Sequence, residues 1–439
     1  MSEKVTYIDS KNFESEVIKS NKVVVDFYST ECPPCEALAS KFESLADVYG
    51  NDIKFVKIHR QENRDLAVAL GVSSSPTLLF YGNGEQKGKR LSGGIKRSEI
   101  VENLELLISN EKAVELKSNI ETKKTECDVL IIGGGPAGLT TAIYTAQAKL
   151  NTIVVDNDLP GGQVKVTHLV SNYPGYSEPI SGYMLMHHMS EQAKAAGADF
   201  RSAVDITEID LQNKFIVVDG VETIRAKKIV IATGSSPRPL NVKGELEYKG
   251  QGISYCATCD AKFYEGKHVV VIGGGNSAIE ESLFITKFAS KVTIVHQFDK
   301  LQANKLAQEK AFADPKIEFM FEYEPREFIK NGSSVNEVLV ENLNTHELST
   351  IHCDGVFIFA GMIPNISEIK QHFDLDNWGY LKADANMKTN IKDVYAVGDV
   401  ASKAFRQITT ATSDGTIAAI SISKEIEMET EQPVELELA

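Results

Sequence analysis

The sequence is poor in the features that place a protein in a membrane or on nucleic acid. It has no run of about 18 apolar residues, the length that a membrane-spanning helix needs, and its first residues hold no apolar signal core. Basic residues are outnumbered, because 46 Lys and Arg face 61 Asp and Glu and give a formal net charge of −15. We therefore expect a cytoplasmic protein that binds neither nucleic acid nor a membrane.

Cysteine is also scarce, with six in 439 residues. Four of the six form two Cys-x-x-Cys pairs, Cys32/Cys35 and Cys256/Cys259. In a reducing compartment such pairs are typical of redox catalysis or metal binding rather than of structural disulfides. Zinc held by both pairs is the alternative, but they lie far apart in the sequence and each has a redox-like setting, so we predict no metal. Cys127 and Cys353 are expected to be small core residues.

Length predicts roughly two to four domains, and strands alternate with helices in an α/β pattern. In residues 1–108, the apolar run 22–28 is typical of a strand buried on both faces. Cys32-Pro33-Pro34-Cys35 follows and opens a helical pattern. The pair therefore lies at a helix N-terminus, where the helix dipole favours a thiolate. Asn83-Gly84 predicts a hairpin turn.

This first segment resembles thioredoxin. The matching positions are Asp26, Cys32, Cys35, Lys57, Pro76-Thr77 and Gly93-Gly94. The resemblance implies that Cys32 is the exposed nucleophile and Cys35 the buried resolving thiol. It also implies that Asp26 is a buried proton acceptor and that Pro76 is a cis-proline facing the disulfide. Glu31 departs from the family, which usually has tryptophan there, and its carboxylate opposes thiolate formation. A thioredoxin fold that serves only as a docking module is the alternative.

Residues 109–125 are polar and charged and are expected to form a linker. After them, the strand 128–132 leads into Gly133-x-Gly135-x-x-Gly138, and a second strand ends at Asp156. This is the fingerprint of a dinucleotide site, in which glycines let the backbone approach a pyrophosphate and the acid holds a ribose hydroxyl.

Three further motifs follow: Gly161-Gly162-Gln163, Asn172-Tyr173-Pro174-Gly175, and Tyr395-Ala396-Val397-Gly398-Asp399 with Arg406-Gln407. With these motifs, the chain from 126 to about 430 resembles the low-molecular-weight thioredoxin reductases. The resemblance implies FAD bound by 126–239 and 361–430, an inserted NAD(P)H domain at 240–360, and an acidic tail at 431–439. The positions that the family uses for FAD are Gly133, Gly135, Gly138, Asp156, Gly162, Gln163, Thr167, Asn172, Asp399, Arg406 and Gln407. The predicted fold is thus a thioredoxin fold followed by two Rossmann-like domains.

The sequence Cys256-Ala257-Thr258-Cys259-Asp260 is the redox centre of that reductase family without change. By the resemblance, Cys259 faces the flavin, Cys256 attacks the incoming disulfide, and Asp260 is the general acid and base. Asp260 as a helix N-cap is the plainer reading, and both roles are compatible.

A second glycine turn, Gly273-x-Gly275-x-x-Ala278, predicts the nicotinamide site, with His296 at the end of the next strand near the cofactor ribose. NADPH-using relatives carry three arginines after that histidine, whereas this chain has Gln297-Phe298-Asp299-Lys300-Leu301-Gln302. A lone lysine poorly replaces a bidentate arginine clamp on the 2′-phosphate. We therefore favour NADH over NADPH. This segment is also similar to the NADH-using flavoprotein subunit of alkyl hydroperoxide reductase, while other relatives take electrons from ferredoxin or a deazaflavin.

The combined hypothesis is a relay from reduced nicotinamide through FAD and Cys256/Cys259 to Cys32/Cys35 and then to disulfides of client proteins. The inserted domain is expected to swing on its connections near 240 and 361. The family implies a homodimer. The alternatives are a dedicated peroxiredoxin reductase and a flavin redox sensor or scaffold that does not turn over.

Overall fold

The computed structural model describes residues 4–118, 120, 122–167, 170 and 172–431, without the side chains of Thr258, Cys259 and Glu431. Two five-stranded sheets and one seven-stranded sheet organise these residues. The arrangement confirms the predicted α/β class, a thioredoxin fold followed by two Rossmann-like domains. Within the described ranges, no helix is long and apolar enough to cross a bilayer.

The thioredoxin domain contains a five-stranded sheet with helices on both faces. Its elements are β1 Val5–Ile8, a π-helical turn Glu14–Ile18, β2 Lys22–Tyr28, α1 Pro33–Tyr49, β3 Lys54–His59, α2 Arg64–Ala69, β4 Thr77–Gly82, β5 Glu85–Ser92 and α3 Arg97–Glu105. The strand order is β1-β3-β2-β4-β5. The strand β2 has the predicted bounds, and the turn at Asn83 and Gly84, both at positive φ, makes the predicted hairpin between β4 and β5.

Burial on both faces explains the apolar run of β2. Val24 packs in the cluster that contains Leu38 and Phe42 of α1, whereas Val23 and Val25 pack in the cluster on the opposite face. Because helices cover both faces, alternation with polar residues is lost. The central strand thereby fixes the position of α1, which begins directly after the Cys32 position.

The predicted linker 109–125 is partly regular structure. Helix α4 spans Asn110–Ser118 and buries Ala113 and Leu116. The next strand begins at Lys123, before the predicted domain boundary at 126.

The seven-stranded sheet forms the core of the FAD domain. The elements of its first part are β6 Lys123–Ile132, α5 Pro136–Gln147, β7 Thr152–Val155, a 3₁₀ turn Gly162–Val166, α6 Gly182–Ala196, β8 Asp199–Arg201, β9 Ile206–Asp210, β10 Phe215–Val218, β11 Glu222–Ile231 and β12 Ser235–Pro237. Six strands lie in the order β8-β7-β6-β11-β10-β9. Leu130 and Ile132 pack on one face and Val129 and Ile131 on the other, so β6 is buried on both faces.

The inserted domain follows β12 and has a five-stranded sheet of its own, with a three-stranded sheet beside it. Its elements are β13 Ile253–Ser254, α7 Ala257–Asp260, a 3₁₀ turn Ala261–Tyr264, β14 His268–Ile272, α8 Asn276–Ile285, β15 Lys291–His296, α9 Lys305–Ala313, β16 Ile317–Phe321, β17 Tyr323–Lys330, β18 Val335–Asn342, β19 Leu348–His352 and β20 Gly355–Ile358. The larger sheet has the order β13-β20-β14-β15-β16, and β17, β18 and β19 form the smaller one.

The chain then returns to the FAD domain. The returning elements are β21 Met362–Pro364, a 3₁₀ turn Lys370–His372, β22 Val394–Ala396, a 3₁₀ turn Gly398–Val400 and α10 Ile408–Glu431. Antiparallel β12 and β21 form a two-stranded connection where the chain leaves and re-enters the domain, and β22 adds the seventh strand beside β11. Beyond Glu431, the predicted acidic tail lies outside the described residues.

Candidate active site

The first cysteine pair lies at the start of α1. Cys32 is the N-cap residue, its Sγ accepts a hydrogen bond from the backbone N–H of Cys35 at 3.3 Å, and the two cysteines form a disulfide. The Ser75–Pro76 peptide is cis, as predicted, and the Ser75 carbonyl oxygen lies 3.5 Å from Cys32 Sγ. The structure thus brings Pro76 and Cys32 to one edge of the sheet.

Asp26 is a buried acid in β2, 1% exposed. Burial raises its pKa to about 6, although Lys57 Nζ lies 3.5 Å from Oδ2 and opposes the shift. Its Oδ1 has no hydrogen-bond partner among the described residues. A carboxyl group with this pKa exchanges a proton near neutral pH, as a proton acceptor for a thiol exchange must.

The first glycine turn has the close packing that a dinucleotide cradle requires. A Cβ on Gly138 would lie 1.9 Å from the carbonyl oxygen of Gly133, so α5 approaches β6 as closely as backbones can. The N–H of Gly134 donates to Asp156 Oδ2 at 2.6 Å. Among the described residues, a Cβ on Gly135 would approach only the Cα of Gly162, at 3.9 Å, so the backbone there faces space that a pyrophosphate can fill.

Further predicted FAD residues come together from both ends of the domain. Asn172 Nδ2 donates to Gln407 Oε1 at 3.3 Å, and Arg406 Nε donates to the Asp399 carbonyl oxygen at 3.3 Å. Burial raises the pKa of Asp399, and its buried Oδ1 has no partner in the described part of the chain. Thr233 Oγ1 is also buried and has no hydrogen-bond partner among the described residues. Unpaired buried oxygens are costly, so these two atoms are suited to a ligand's hydroxyl groups.

The segment that precedes α6 carries three more of the predicted residues. Gly162 has φ +54 and begins the 3₁₀ turn, in which Gln163 is exposed. Thr167 ends this turn, and its carbonyl accepts the N–H of Gly182 at 2.9 Å.

The second cysteine pair lies at α7 in the inserted domain. Cys256 is its N-cap residue, and Ser254 contacts both ends of the motif: its Oγ donates to Asp260 Oδ2 at 2.6 Å and accepts the N–H of Cys256 at 3.1 Å. Asp260 is the N-cap residue of the following 3₁₀ turn, as the plainer reading expects, but its side chain makes no cap hydrogen bond among the described residues. The side chain of Cys259 lies outside the described residues, and its pairing with Cys256 stays a prediction.

Sequence reasoning missed Ser254 and Glu245. Glu245 is 1% exposed, and its carboxylate accepts the backbone N–H of Leu240 at 2.9–3.0 Å and the hydroxyl of Tyr255 at 2.9 Å. It therefore joins the connection near residue 240 to the residue before Cys256. A serine two residues before the motif was a visible signal, whereas nothing local marked Glu245 as buried.

The second glycine turn is also built for close approach. Gly273 has φ +133, and a Cβ there would lie 2.5 Å from the Phe359 carbonyl oxygen. A Cβ on Gly275 would meet no atom of the described residues within 4 Å, whereas one on Gly274 would lie 2.5 Å from the His296 ring. Ala278 is fully buried behind the turn.

His296 is the last residue of β15, as predicted, and its ring lies under the glycine turn. It is 5% exposed, burial lowers its pKa, and its Nε2 has no partner among the described residues. Phe298 packs edge-on against it at 5.3 Å and is 44% exposed.

Cys127 and Cys353 are free and buried, and burial raises the pKa of both thiols to about 12. The prediction that they are core residues is confirmed.

Comparison with known proteins divides the chain at the same place as the fold does. Residues 4–106 match the thioredoxin family model, and residues 127–415 match the pyridine nucleotide-disulphide oxidoreductase model. The 34.2 kDa protein in the rubredoxin operon of Clostridium pasteurianum is 42% identical over 69% of this chain and 98% of its own length. A thioredoxin reductase of Peptoclostridium acidaminophilum is 43% identical over 70% of this chain and 98% of its own length.

Solved structures agree. The crystal structure of thioredoxin reductase from Streptococcus pyogenes MGAS5005 covers 69% of this chain and 99% of its own, with a TM-score of 0.59 and 38% identity.

Proposed function

This chain belongs to the pyridine nucleotide-disulphide oxidoreductase family, as an FAD-dependent thioredoxin reductase with a fused thioredoxin domain, and from that premise we propose how its residues divide the work. Electrons enter from a reduced nicotinamide, with NADH favoured, and reach Cys256/Cys259. They pass from there to Cys32/Cys35 of the fused thioredoxin domain, and then to disulfides of client proteins.

The residues present fit FAD. Gly135 faces open space where a Cβ would find only one distant atom, and Asp399 Oδ1 and Thr233 Oγ1 are buried oxygens that lack partners among the described residues. We propose that these groups, with Asp156, Arg406 and the other predicted positions, hold the cofactor. When bound, FAD supplies the two-electron chemistry that links nicotinamide oxidation to dithiol formation.

We propose the following thiol steps. The Cys256 thiolate attacks Cys32 Sγ, the bond between Cys32 and Cys35 breaks, and the Cys35 thiolate leaves and takes up a proton. Cys259 then attacks Cys256 Sγ, which closes the Cys256–Cys259 disulfide and leaves Cys32 as a free thiolate.

Two acidic residues are proposed to exchange protons with the reacting thiols. Asp26, whose pKa burial raises to about 6, is proposed to exchange the proton of Cys35. Asp260, held by Ser254, is proposed to exchange the proton of the Cys256 thiol.

The preference for NADH rests on the residues around His296. Gln297 and Lys300 are exposed, and the aromatic ring of Phe298 takes the position of an arginine. A 2′-phosphate would meet no guanidinium there, so NADPH gains nothing from its extra charge.

The observation that carries the proposal is that both Cys-x-x-Cys motifs lie in one chain, and that each opens a helix with its first cysteine as the N-cap. Rapid mixing of the reduced protein tests it. Flavin reoxidation should follow addition of insulin in the wild type, and should be lost in a Cys32→Ser/Cys35→Ser variant. Reoxidation that persists in that variant refutes the relay.

The donor is tested by anaerobic flavin bleaching with NADH, then NADPH, then reduced ferredoxin. Bleaching by ferredoxin alone would overturn the nicotinamide assignment.

We also propose that the chain is a cytoplasmic homodimer that serves general thioredoxin clients. Equal turnover with insulin and with a peroxiredoxin supports general clients, and turnover with the peroxiredoxin alone supports a dedicated reductase.

A further inference from the structure

The thioredoxin domain is docked on the FAD domain, and a buried lysine lies at the centre of the contact. Lys41 of α1 is 7% exposed, and its Nζ donates to three carbonyl oxygens, those of Ile95 at 2.9 Å, Ser202 at 2.8 Å and Ala203 at 2.7 Å. These bonds use all three ammonium protons. Two of the three acceptors belong to the FAD domain, so this set of partners is complete only when the domains are docked.

The FAD domain presents these carbonyls through an unusual turn. Ala203 has φ +53, is fully buried, and donates its N–H to the Asp158 carbonyl oxygen at 3.0 Å. A positive φ is uncommon for a residue other than glycine, and such conformations persist where the surroundings impose them. Here the turn directs two successive carbonyl oxygens at one amine.

Polar contacts surround this central lysine. Asp205 accepts from Lys96 Nζ at 2.7 Å and from Ser98 Oγ at 2.5 Å, and Lys194 of α6 pairs with Glu36 of α1 at 3.2 Å. These side chains are partly exposed, so each pair contributes little and weakens with salt. They set the orientation of the docked domain, whereas Lys41 provides the desolvated contact.

The docked face includes the surroundings of the Cys32–Cys35 disulfide. Because Thr77 pairs with Ser92, the Gly93–Gly94 loop lies beside Pro76. A Cβ on Gly94 would lie 2.9 Å from Asp158 Oδ1, so the FAD domain covers this loop closely.

Beside α1 the two domains leave a cleft of about 1270 Å³. It is lined in part by Pro33, Pro34, Leu159, Pro160, Tyr183 and Met186. A small thiol fits such a cleft, but a folded protein does not.

We propose that the turn Ser202–Asp205 is a docking site for the chain's own thioredoxin domain, that Lys41 specifies it, and that folded clients reach Cys32 only after the domain leaves. The part of the proposal that concerns client access rests on the proposed function. The docking of the thioredoxin domain does not rest on it, because docking is measured without electron transfer.

Small-angle scattering of the full chain tests docking. Lys41→Met keeps the aliphatic stem and removes the ammonium. Lys41→Met removes both hydrogen bonds that Nζ donates to the FAD domain, and the loss of even one hydrogen bond to a charged group shifts an equilibrium by about tenfold. The radius of gyration should therefore rise, and amides of 93–98 and 202–205 should exchange faster. Asp205→Asn should act in the same direction and more weakly. Lys19→Met is the control, because Lys19 is exposed and its ion pair with Glu14 stays within the thioredoxin domain.

Insulin reduction driven by dithiothreitol tests access, since it needs neither flavin nor nicotinamide. Dithiothreitol reduces Cys32–Cys35 and becomes a cyclic disulfide, and the new dithiol reduces insulin. After subtraction of the reaction with dithiothreitol alone, the rate should rise severalfold in Lys41→Met and not in Lys19→Met.

Unchanged scattering and exchange in both Lys41→Met and Asp205→Asn would overturn the docking site. If scattering shows that the domain is released but the rate of insulin reduction does not change, the proposal that docking covers the disulfide is wrong. If Lys41→Met does not fold, Asp205→Lys decides both points, because it sets a like charge against Lys96 in a partly exposed contact.

Discussion

Ser254 Oγ lies 2.6 Å from Asp260 Oδ2 and 3.1 Å from the backbone nitrogen of Cys256, so a single hydroxyl holds both the acid and the peptide of the second cysteine pair. Ser254 is 5% exposed, which shields these bonds from water. The hydrogen bond from Ser254 thus holds Asp260 in position as an acid, although the sequence also allowed Asp260 as a helix cap.

Ser254→Ala should therefore slow thiol–disulfide exchange while leaving nicotinamide-dependent flavin reduction unchanged. We expect a loss of about tenfold or more in the exchange step, within the range that a positioned acid contributes. Stopped-flow spectra separate the two steps. Ser254→Thr, which keeps the hydroxyl, should restore most of the rate, and equal losses in both variants would contradict the assignment.

Asp26→Asn should stabilise the protein at pH 7 and slow its reductase activity. The folded-state pKa of about 6 lies above the ordinary value of 3.8, so the folded protein binds the proton more tightly. Stability is then complete below about pH 4 and falls as the pH rises to about 6.

Removal of the charge should raise the free energy of unfolding at pH 7 by about 1–3 kcal/mol. The gain lies below the full value of the pKa shift because Lys57 loses its charged partner. Thermal unfolding at pH 4.5 and at pH 7 measures it. Asp65→Asn, an exposed acid in the same domain, is the control. A gain of equal size at both pH values would mean that Asp26 does not carry this pH dependence.

The variant Gln297→Arg/Phe298→Arg/Gln302→Arg should shift the preference toward NADPH. It supplies the guanidinium groups that a 2′-phosphate needs, and we expect the ratio of kcat/KM for NADPH to that for NADH to rise by about tenfold or more. Steady-state kinetics with both donors measure it. An unchanged ratio would show that the loop after His296 does not contact the cofactor's ribose.

Gly275→Ala should weaken nicotinamide binding without disturbing the fold, because the new Cβ meets no atom within 4 Å in the part of the chain that the structure describes. We expect KM for the nicotinamide to rise by about tenfold while the flavin stays bound and thermal unfolding is unchanged. Gly274→Ala is the contrasting variant. Its Cβ would strike the His296 ring, so it should lower thermal stability as well. Normal binding in Gly275→Ala would move the cofactor away from this turn.

Local patterns predicted much of this molecule from sequence. The apolar run of β2 and the hairpin at Asn83 depend on neighbouring residues, whereas the resemblance to thioredoxin implied the cis bond before Pro76. All three are confirmed. Likewise, each glycine fingerprint encodes one strand, one turn and one helix, so the two cradles are visible in the sequence.

Contacts between distant segments were not predictable. Glu245 becomes buried only when the 240–255 segment folds back, and Lys41 is an ordinary polar position of α1 until the Ser202–Ala203 turn covers it. Both depend on how domains and connections pack, which periodicity and motif spacing do not encode.

An anaerobic reductive titration with the nicotinamide as the sole donor tests the central claim most directly. If electrons pass from Cys256/Cys259 to Cys32/Cys35, the wild-type chain should take up one electron pair for the flavin and one for each cysteine pair. The Cys32→Ser/Cys35→Ser variant should take up one pair less, with the same initial rate of flavin bleaching. Equal uptake by the wild type and the variant would contradict the account.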